Sequence, residues 1–223
     1  MDSSLKIRPS DSPYVKAITH WIIGNNDRNM ARPDGCWDLV VFKMDGHTAI
    51  LLTGQTTQAV PLHFSPGDEI LTISFKASSF LSCLPAVDIL NHGEILPKVG
   101  NRFQLVSDYL EIPTFENADE FVKKLDKKEL LLHDEVVETS LNNHPKAYSL
   151  RSVQRHFLRT TGMSLINFRQ IQRAHKAAEL LQKGVSATQV AFETGYSDQP
   201  HMSRSLKYIL GQTPTEIATT TIL

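Results

Sequence analysis

Cysteine is scarce in this chain: Cys36 and Cys83 are the only two in 223 residues. Two are too few for a disulfide framework or a structural zinc site. Long apolar runs are also missing. Stretches such as 49–52 are among the longest, far short of the roughly 20 residues a membrane-spanning helix requires. Residues 1–30 have no basic segment followed by an apolar one, so no signal peptide is expected and the expected location is cytoplasmic, away from membranes. Neither sign of charge dominates, with 23 basic against 24 acidic side chains. Charged residues reach only 21% and apolar residues 41%, which excludes wholesale disorder and suits one large or two small packed domains.

The near-neutral total conceals a division. Residues 1–140 carry 13 Lys/Arg against 20 Asp/Glu, whereas 141–223 carry 10 against 4. A basic third on an acidic remainder suggests that the C-terminal part alone meets a polyanion.

The acidic part reads as mainly β. Residues 38–43 are rich in β-branched and aromatic side chains, and Asp45-Gly46 beside them is a strong hairpin signal, with 47–53 as the return strand. Residues 58–64 and 69–75 are further strand candidates around the turn sequence Ser65-Pro66-Gly67-Asp68. Pro85, Gly93, Pro97 and Gly100 mark a more irregular stretch. Asn117 with Glu120 three residues on has the form of a helix cap, and Phe121, Val122 and Leu125 follow at helical spacing. The expected organisation is a β-rich domain over 1–116, a helical linker over 117–140 and a domain over 141–223.

From Ser149 the periodicity is helical. Ser149 caps a helix with Leu150, Val153 and Phe157 as its expected buried face, and Gly162 ends it. Ser164 opens a longer helix with a stripe of Leu165, Phe168, Ile171, Ala174, Ala178 and Leu181, and Gly184 follows its end. Ser186 to Gln189 fit a capping box, Gly195 supplies a turn at positive φ, and Ser197 or Asp198 caps a last helix with Met202, Leu206 and Ile209 inward.

Helix, glycine turn and helix in so few residues is the layout of a helix-turn-helix. An internal repeat strengthens it: Val153, Arg155, Phe157, Gly162, Ser164 and Phe168 recur 49 residues later as Met202, Arg204, Leu206, Gly211, Thr213 and Ile217. With the apolar stripes inward, Arg151 and Arg155 are outermost in the first copy with Gln154 on the flank. Positions 200, 204 and 207 are outermost in the second. Arginine and glutamine are side chains that pair bidentately with guanine and adenine in the major groove.

Several stretches resemble the C-terminal domain of the AraC/XylS family of bacterial transcription regulators. They are Ser-Val-Gln-Arg-His-Phe (152–157), Gly-Met-Ser (162–164), Ala-Ala-Glu-Leu-Leu (177–181), Gly-Tyr-Ser-Asp-Gln-Pro-His-Met-Ser-Arg-Ser-Leu-Lys (195–207) and Gly-Gln-Thr-Pro (211–214). The resemblance implies two helix-turn-helix units joined by a linker helix, with recognition helices over 150–159 and 199–210 entering successive major grooves. The DNA-contact candidates it implies are Arg151, Gln154 and Arg155 in the first, and Gln199, Pro200, His201, Ser203, Arg204 and Lys207 in the second. One departure stands out. The repeat places the first unit's supporting helix over Leu141-Asn142, where Asn143-His144-Pro145 follows as a breaker, so that helix is expected to be shortened or displaced.

Pro33 to Asp38, Pro66 to Glu69 and Thr114 to Ala118 resemble a cupin-like N-terminal region found in some of these regulators. The fold expected is therefore α+β in two domains: a β-rich, cupin-like barrel or sandwich and an all-α domain. Trp37, Phe42, Phe64 and Phe75 are candidates for lining an effector pocket, with Arg102 as counter-charge for an anion; the other reading, and the one that residues of this kind more often meet, is plain core. Cys36 is a candidate redox sensor or a plain buried thiol. His47, His63 and His92 are scattered without a His-x-His pair, so no metal and no cofactor are expected. The expected partners are double-stranded DNA, a small-molecule effector, RNA polymerase and a second copy of the chain, and the expected action is activation. Two other classes stay open: a cupin-type metal-dependent enzyme with an appended helical domain, and an interaction module that has lost DNA affinity. No nucleophile elbow, Cys/His couple or phosphate loop supports the enzyme.

Overall fold

Asp45 and Gly46 both adopt left-handed backbone angles, φ 48° and 76°, and so close the tight hairpin that the Asp-Gly pair promises. Around that turn the computed structural model, which describes residues 2–25, 29–142 and 148–219, builds a large antiparallel sheet. The strands in chain order are β1 (Ser4–Arg8), β2 (Val15–Ile22), β3 (Asn29–Ala31), β4 (Trp37–Met44), β5 (His47–Thr53), β6 (Val60–Leu62) and β7 (Glu69–Phe75). They continue with β8 (Ser79–Leu81), β9 (Gly93–Leu96), β10 (Lys98–Val99), β11 (Arg102–Leu105), β12 (Asp108–Glu111) and β13 (Leu131–His133). The helices are α1 (Ala118–Lys127), α2 (Glu135–Leu141), α3 (Leu150–Thr161), α4 (Leu165–Gln182), α5 (Ala187–Glu193), α6 (Gln199–Leu210) and α7 (Pro214–Thr219), with a 3-10 turn at Ala86–Ile89.

The chain divides into two compact units. The first comprises Met1–Asn29, Gly35–Gln55 and His63–Leu165; the second comprises Met30–Asp34, Thr56–Leu62 and Ile166–Leu223.

In the first unit the six-stranded order is β1-β2-β7-β4-β5-β9. Its register aligns Ile18, Ile73, Leu39 and Leu52 across four neighbouring strands. All four are at most 3% exposed, which is what period-two alternation produces when one face of a sheet meets a core. The antiparallel ribbon β10-β11-β12 brings Phe103, Leu105 and Leu110 into the same core. The α+β expectation, a β-rich N-terminal region followed by helices, holds.

The stretch 117–140, expected as a linker, contributes Ala118, Phe121, Val122, Leu125 and Leu131 to that core. Asn117 does not cap α1 as anticipated; its side chain instead accepts a hydrogen bond from the Thr114 backbone N–H at 2.8 Å. The expected strand 58–64 is confined to Val60–Leu62, pairs only with β3, and lies outside the large sheet.

In the second unit α4 buries Phe168, Ile171, Ala174, Ala177 and Leu181. Ala177 is fully buried in the place expected for Ala178, which is half-buried; steps of three and four from Ala174 to Leu181 allow either.

Candidate DNA-binding interface

The repeat seen in the sequence is a repeat of structure. α3 and α6 are both twelve residues long, and every boundary of one falls 49 residues from that of the other. Each begins on a capping side chain: Ser149 Oγ accepts from the Ser152 N–H at 3.2 Å, and Asp198 Oδ1 accepts from the His201 N–H at 2.6 Å. Each ends on a left-handed glycine, Gly162 at φ 71° and Gly211 at φ 73°. In the second copy the next helix is started by a reciprocal pair. The Glu216 N–H donates to Thr213 Oγ1 at 3.3 Å and the Thr213 N–H donates to Glu216 Oε2 at 2.6 Å.

The supporting helices obey the repeat less strictly. α5 is capped by Ser186 as expected, and Gly195 makes the following turn at φ 73°. α2 has the same seven-residue length as α5, so the first supporting helix is not shortened, but it starts three residues earlier than the 49-residue offset places it. The breaker Asn143-His144-Pro145 lies outside the described residues.

In α3, Phe157, Thr160 and Thr161 are buried, while Arg151, Gln154 and Arg155 are exposed. Leu150, expected inward, is 61% exposed, and Val153 is half-buried. The buried face is rotated toward the Thr160 side, because the helix is tied down by a polar contact at its C-terminal half.

That contact is Asp134, whose side chain is 1% exposed. Its Oδ1 accepts from the Val136 and Val137 N–H groups at 3.0 and 3.2 Å and so caps α2. Its Oδ2 accepts from Arg159 Nη2 at 2.7 Å and Thr160 Oγ1 at 2.8 Å, and His156 Nδ1 lies 2.8 Å away. The three side-chain donors and the capped backbone outweigh burial and hold its carboxyl down at about 2.

In α6 the inward set is Met202, Leu206 and Ile209 as expected, joined by Leu210. Gln199, Pro200, Arg204 and Lys207 are exposed, and His201 and Ser203 are half-buried. Several of these candidates are already engaged. Gln199 Oε1 accepts from Thr188 Oγ1 at 3.3 Å, and Ser203 Oγ donates to the Gln199 carbonyl at 2.9 Å. His201 Nδ1 lies 3.0 Å from Ser197 Oγ, with its ring edge-on to Tyr196 at 5.3 Å. Lys207 Nζ sits 3.4 Å from Glu216. Pro200 stands within the first helical turn, where its missing N–H is harmless.

α4 clamps the turn of this unit. The Arg173 guanidinium lies 4.3 Å from the centre of the Tyr196 ring and donates to the Gly195 carbonyl at 3.3 Å. Sequence reading missed Asp134 and Arg173. Asp134 before Val136-Val137 is a local N-cap signal, but its role in seating α3, like the Arg173 contact, depends on partners 22 to 26 residues away.

The five effector candidates are not brought together. Trp37 and Phe75 stack at 3.9 Å inside the first unit's core. Phe42 and Phe64 meet at 6.0 Å and pack on a separate apolar cluster with Ile23, Val40 and Ile70. Arg102 is exposed at the start of β11. A cavity of about 500 Å³ lies elsewhere in the first unit. Val41, Leu71 and Phe115 are among its apolar lining, and His20, Lys43, Glu69 and Lys98 among its polar lining. Lys43 Nζ reaches Glu69 Oε2 at 2.8 Å and, with His20 beside it, keeps that carboxyl below its usual range. Cys36 is buried. Among the described residues no three of His, Cys, Asp and Glu gather as a metal-binding group, and no helix is long and apolar enough to cross a membrane.

A β-rich N-terminal region followed by helices, with α3 and α6 matched in length and caps, defines the class. Residues 147–220, about a third of the chain, match the sequence model of a helix-turn-helix domain family, so this segment is a helix-turn-helix domain. No curated protein matches the chain. Among solved structures it is similar to ToxT from Vibrio cholerae, at 11% identity over 98% of this chain and 99% of that one, with a TM-score of 0.39. A ToxT structure from Vibrio cholerae O395 bound to (E)-4-(8-methylnaphthalen-1-yl)but-3-enoic acid is also similar, at 11% identity over 97% of both chains, TM-score 0.38. Unsaturated fatty acid-bound wild-type ToxT from Vibrio cholerae strain SCE256 matches at 11% over 97% of this chain and 94% of that one, TM-score 0.37. A likeness that distant leaves the functional argument to the residues themselves.

Proposed function

We propose that the protein is a sequence-specific DNA-binding transcription regulator that acts in the cytoplasm on double-stranded DNA, with residues 141–223 as its DNA-binding part. α3 and α6 are the recognition helices, placed in successive major grooves. The observation that carries this is the pairing of Arg155 with Arg204. They occupy the same position of two identically bounded helices, both are exposed, and neither has a hydrogen bond or ion pair to a described residue. Exposed guanidinium groups at one position of matched helices are what bidentate guanine contacts require. Arg151 and Gln154 flank the first contact. Gln199, Pro200, His201, Ser203 and Lys207 frame the second.

The β-rich unit senses a small molecule or dimerises. The 500 Å³ cavity is of ligand size, and its Lys43–Glu69 pair with His20 supplies oriented polar anchors above an apolar floor. The protein acts without catalysis, as an activator that engages RNA polymerase.

The test is selection of sites from random duplex DNA by the full chain, followed by affinity measured at several salt concentrations. Two short boxes about 10 bp apart, with steep salt dependence, are expected. The absence of any enriched sequence at low salt overturns the proposal. A stoichiometric transition metal in the purified protein favours the enzyme class instead.

A further inference from the structure

α3 presents two stripes along its length. Arg151, Gln154 and Arg155 form an exposed stripe, while His156, Arg159 and Thr160 form a second one, all three directed at the single carboxylate of Asp134. Neighbouring helical positions differ by about 100° in azimuth, so whatever fixes His156, Arg159 and Thr160 also fixes the direction in which Arg155 points.

Packing alone fixes that direction loosely. In α3, apolar burial of a large side chain comes from Phe157 only, and Leu150 and Leu158 are 61% and 53% exposed. α6, by contrast, is seated by Met202, Leu206, Ile209 and Leu210. Phe157 and the close approach of Gly162 to the 3-10 turn hold the C-terminal half of α3, and apolar packing seats the N-terminal half, which carries Arg151 and Arg155, less firmly than it seats α6. A roll of about 20° displaces a side-chain tip some 6 Å from the axis by about 2 Å, which is more than a bidentate hydrogen bond tolerates.

Asp134 also belongs to the β framework. It follows β13, and its N–H donates to the Ser78 carbonyl at 2.7 Å beside β8. The same residue therefore caps α2, joins the sheet and seats α3.

We propose that Asp134 is the positioning residue of the first recognition helix, setting the roll of α3 so that Arg151 and Arg155 face the bases. The proposal rests on the regulator reading above. The two recognition helices are then seated differently, the second by its own apolar face and the first by a carboxylate anchored in the β-rich unit. Specificity at the first box, unlike the second, answers to the β-rich unit.

Asp134→Asn is the discriminating change. Its retained oxygen can still cap α2, since asparagine caps as well as aspartate. The amide NH₂ then replaces Oδ2 and opposes the Arg159 guanidinium, a donor with no acceptor, while the Thr160 hydroxyl must turn to accept. The measurement, on the full chain, is a discrimination ratio at each box: the Kd for a duplex with that box scrambled over the Kd for the intact duplex. Arg155→Ala identifies which box α3 reads. We expect Asp134→Asn to lower the ratio at that box by about 10-fold or more, the size of losing one base contact, and to leave the other ratio within about 2-fold. General destabilisation reduces the active fraction on every duplex equally and moves neither ratio. Thr160→Val should act in the same direction while Thr160→Ser, which keeps the hydroxyl, stays near the parent; this pair decides the matter if Asp134→Asn does not fold. Equal loss at both boxes, no loss at either, or no difference between the Thr160 variants overturns the proposal. A parent protein that discriminates at neither box removes the regulator reading itself, and this inference with it.

Discussion

Three glycines with nearly the same backbone angle should tolerate a methyl group very differently. Gly162, Gly184 and Gly211 have φ of 71°, 82° and 73°, so replacement by alanine costs each about 1 kcal/mol for the left-handed backbone alone. Their surroundings differ. Around Gly184 an added Cβ meets nothing within 4 Å. At Gly162 it would stand 2.6 Å from the Ala86 carbonyl oxygen, 2.8 Å from its carbon and 3.0 Å from Val87 Cα. All three are backbone atoms of the 3-10 turn and cannot swing aside. At Gly211 it meets the end of the Met30 side chain, which can rotate away, and Ala59 Cβ at 3.1 Å. Overpacking against fixed atoms adds about 1–3 kcal/mol. Gly162→Ala should therefore cost about 2–4 kcal/mol, Gly184→Ala about 1, and Gly211→Ala a value between them. Urea unfolding of the full chain followed by circular dichroism measures the order, and each loss should appear in the transition of the unit that holds the glycine. If Gly162→Ala proves no more costly than Gly184→Ala, the close approach of α3's C-terminus to the 3-10 turn is refuted.

Arg204→Ala should remove about 1–3 kcal/mol of discrimination at its own box while keeping most of the salt-dependent nonspecific binding; uniform weakening on every duplex would make Arg204 a phosphate contact instead. Arg155→Ala should do the same at a box one helical turn away, and an unchanged footprint there would mean that α3 does not contact bases. Asp134 should make stability depend on acidity. Its carboxyl lies below its ordinary value of 3.8, at about 2, so its contribution is complete above about pH 4 and is lost as pH falls toward 2. One pKa unit corresponds to about 1.4 kcal/mol, and Arg159 on its edge is 58% exposed. After solvent screening the contribution is on the order of 1–2 kcal/mol. Urea midpoints for the parent and Asp134→Asn should converge on acidification, and a constant gap down to pH 2.5 would refute the assignment. Phe157→Ala, at a fully buried position, should cost about 3–5 kcal/mol in the same assay.

Where local chemistry decided the outcome, the sequence was enough. The Asp45-Gly46 hairpin, the caps at Ser149 and Ser186, the cap at Asp198 (one of two candidates with Ser197) and the glycine stops each depend on residues within a few positions of one another. All of them stand in the structure where the pattern placed them. The inward face of α6 was legible for the same reason: four apolar residues at helical spacing leave one choice. β1 and β2 gave little signal, because most of β1 and much of β2 remain partly exposed and their alternation is weak.

Only the tertiary structure decided how α3 is seated, which face of α4 takes Ala177, and where the cavity lies. Leu150 promised an inward face by spacing, yet a buried carboxylate on another element outcompeted it. The aromatic residues that composition offered for a pocket were consumed by core packing, while Lys43, Glu69 and His20 met across three strands to line a cavity. Periodicity reports which residues can share a face; what that face meets is fixed by long-range contacts that a single sequence does not contain.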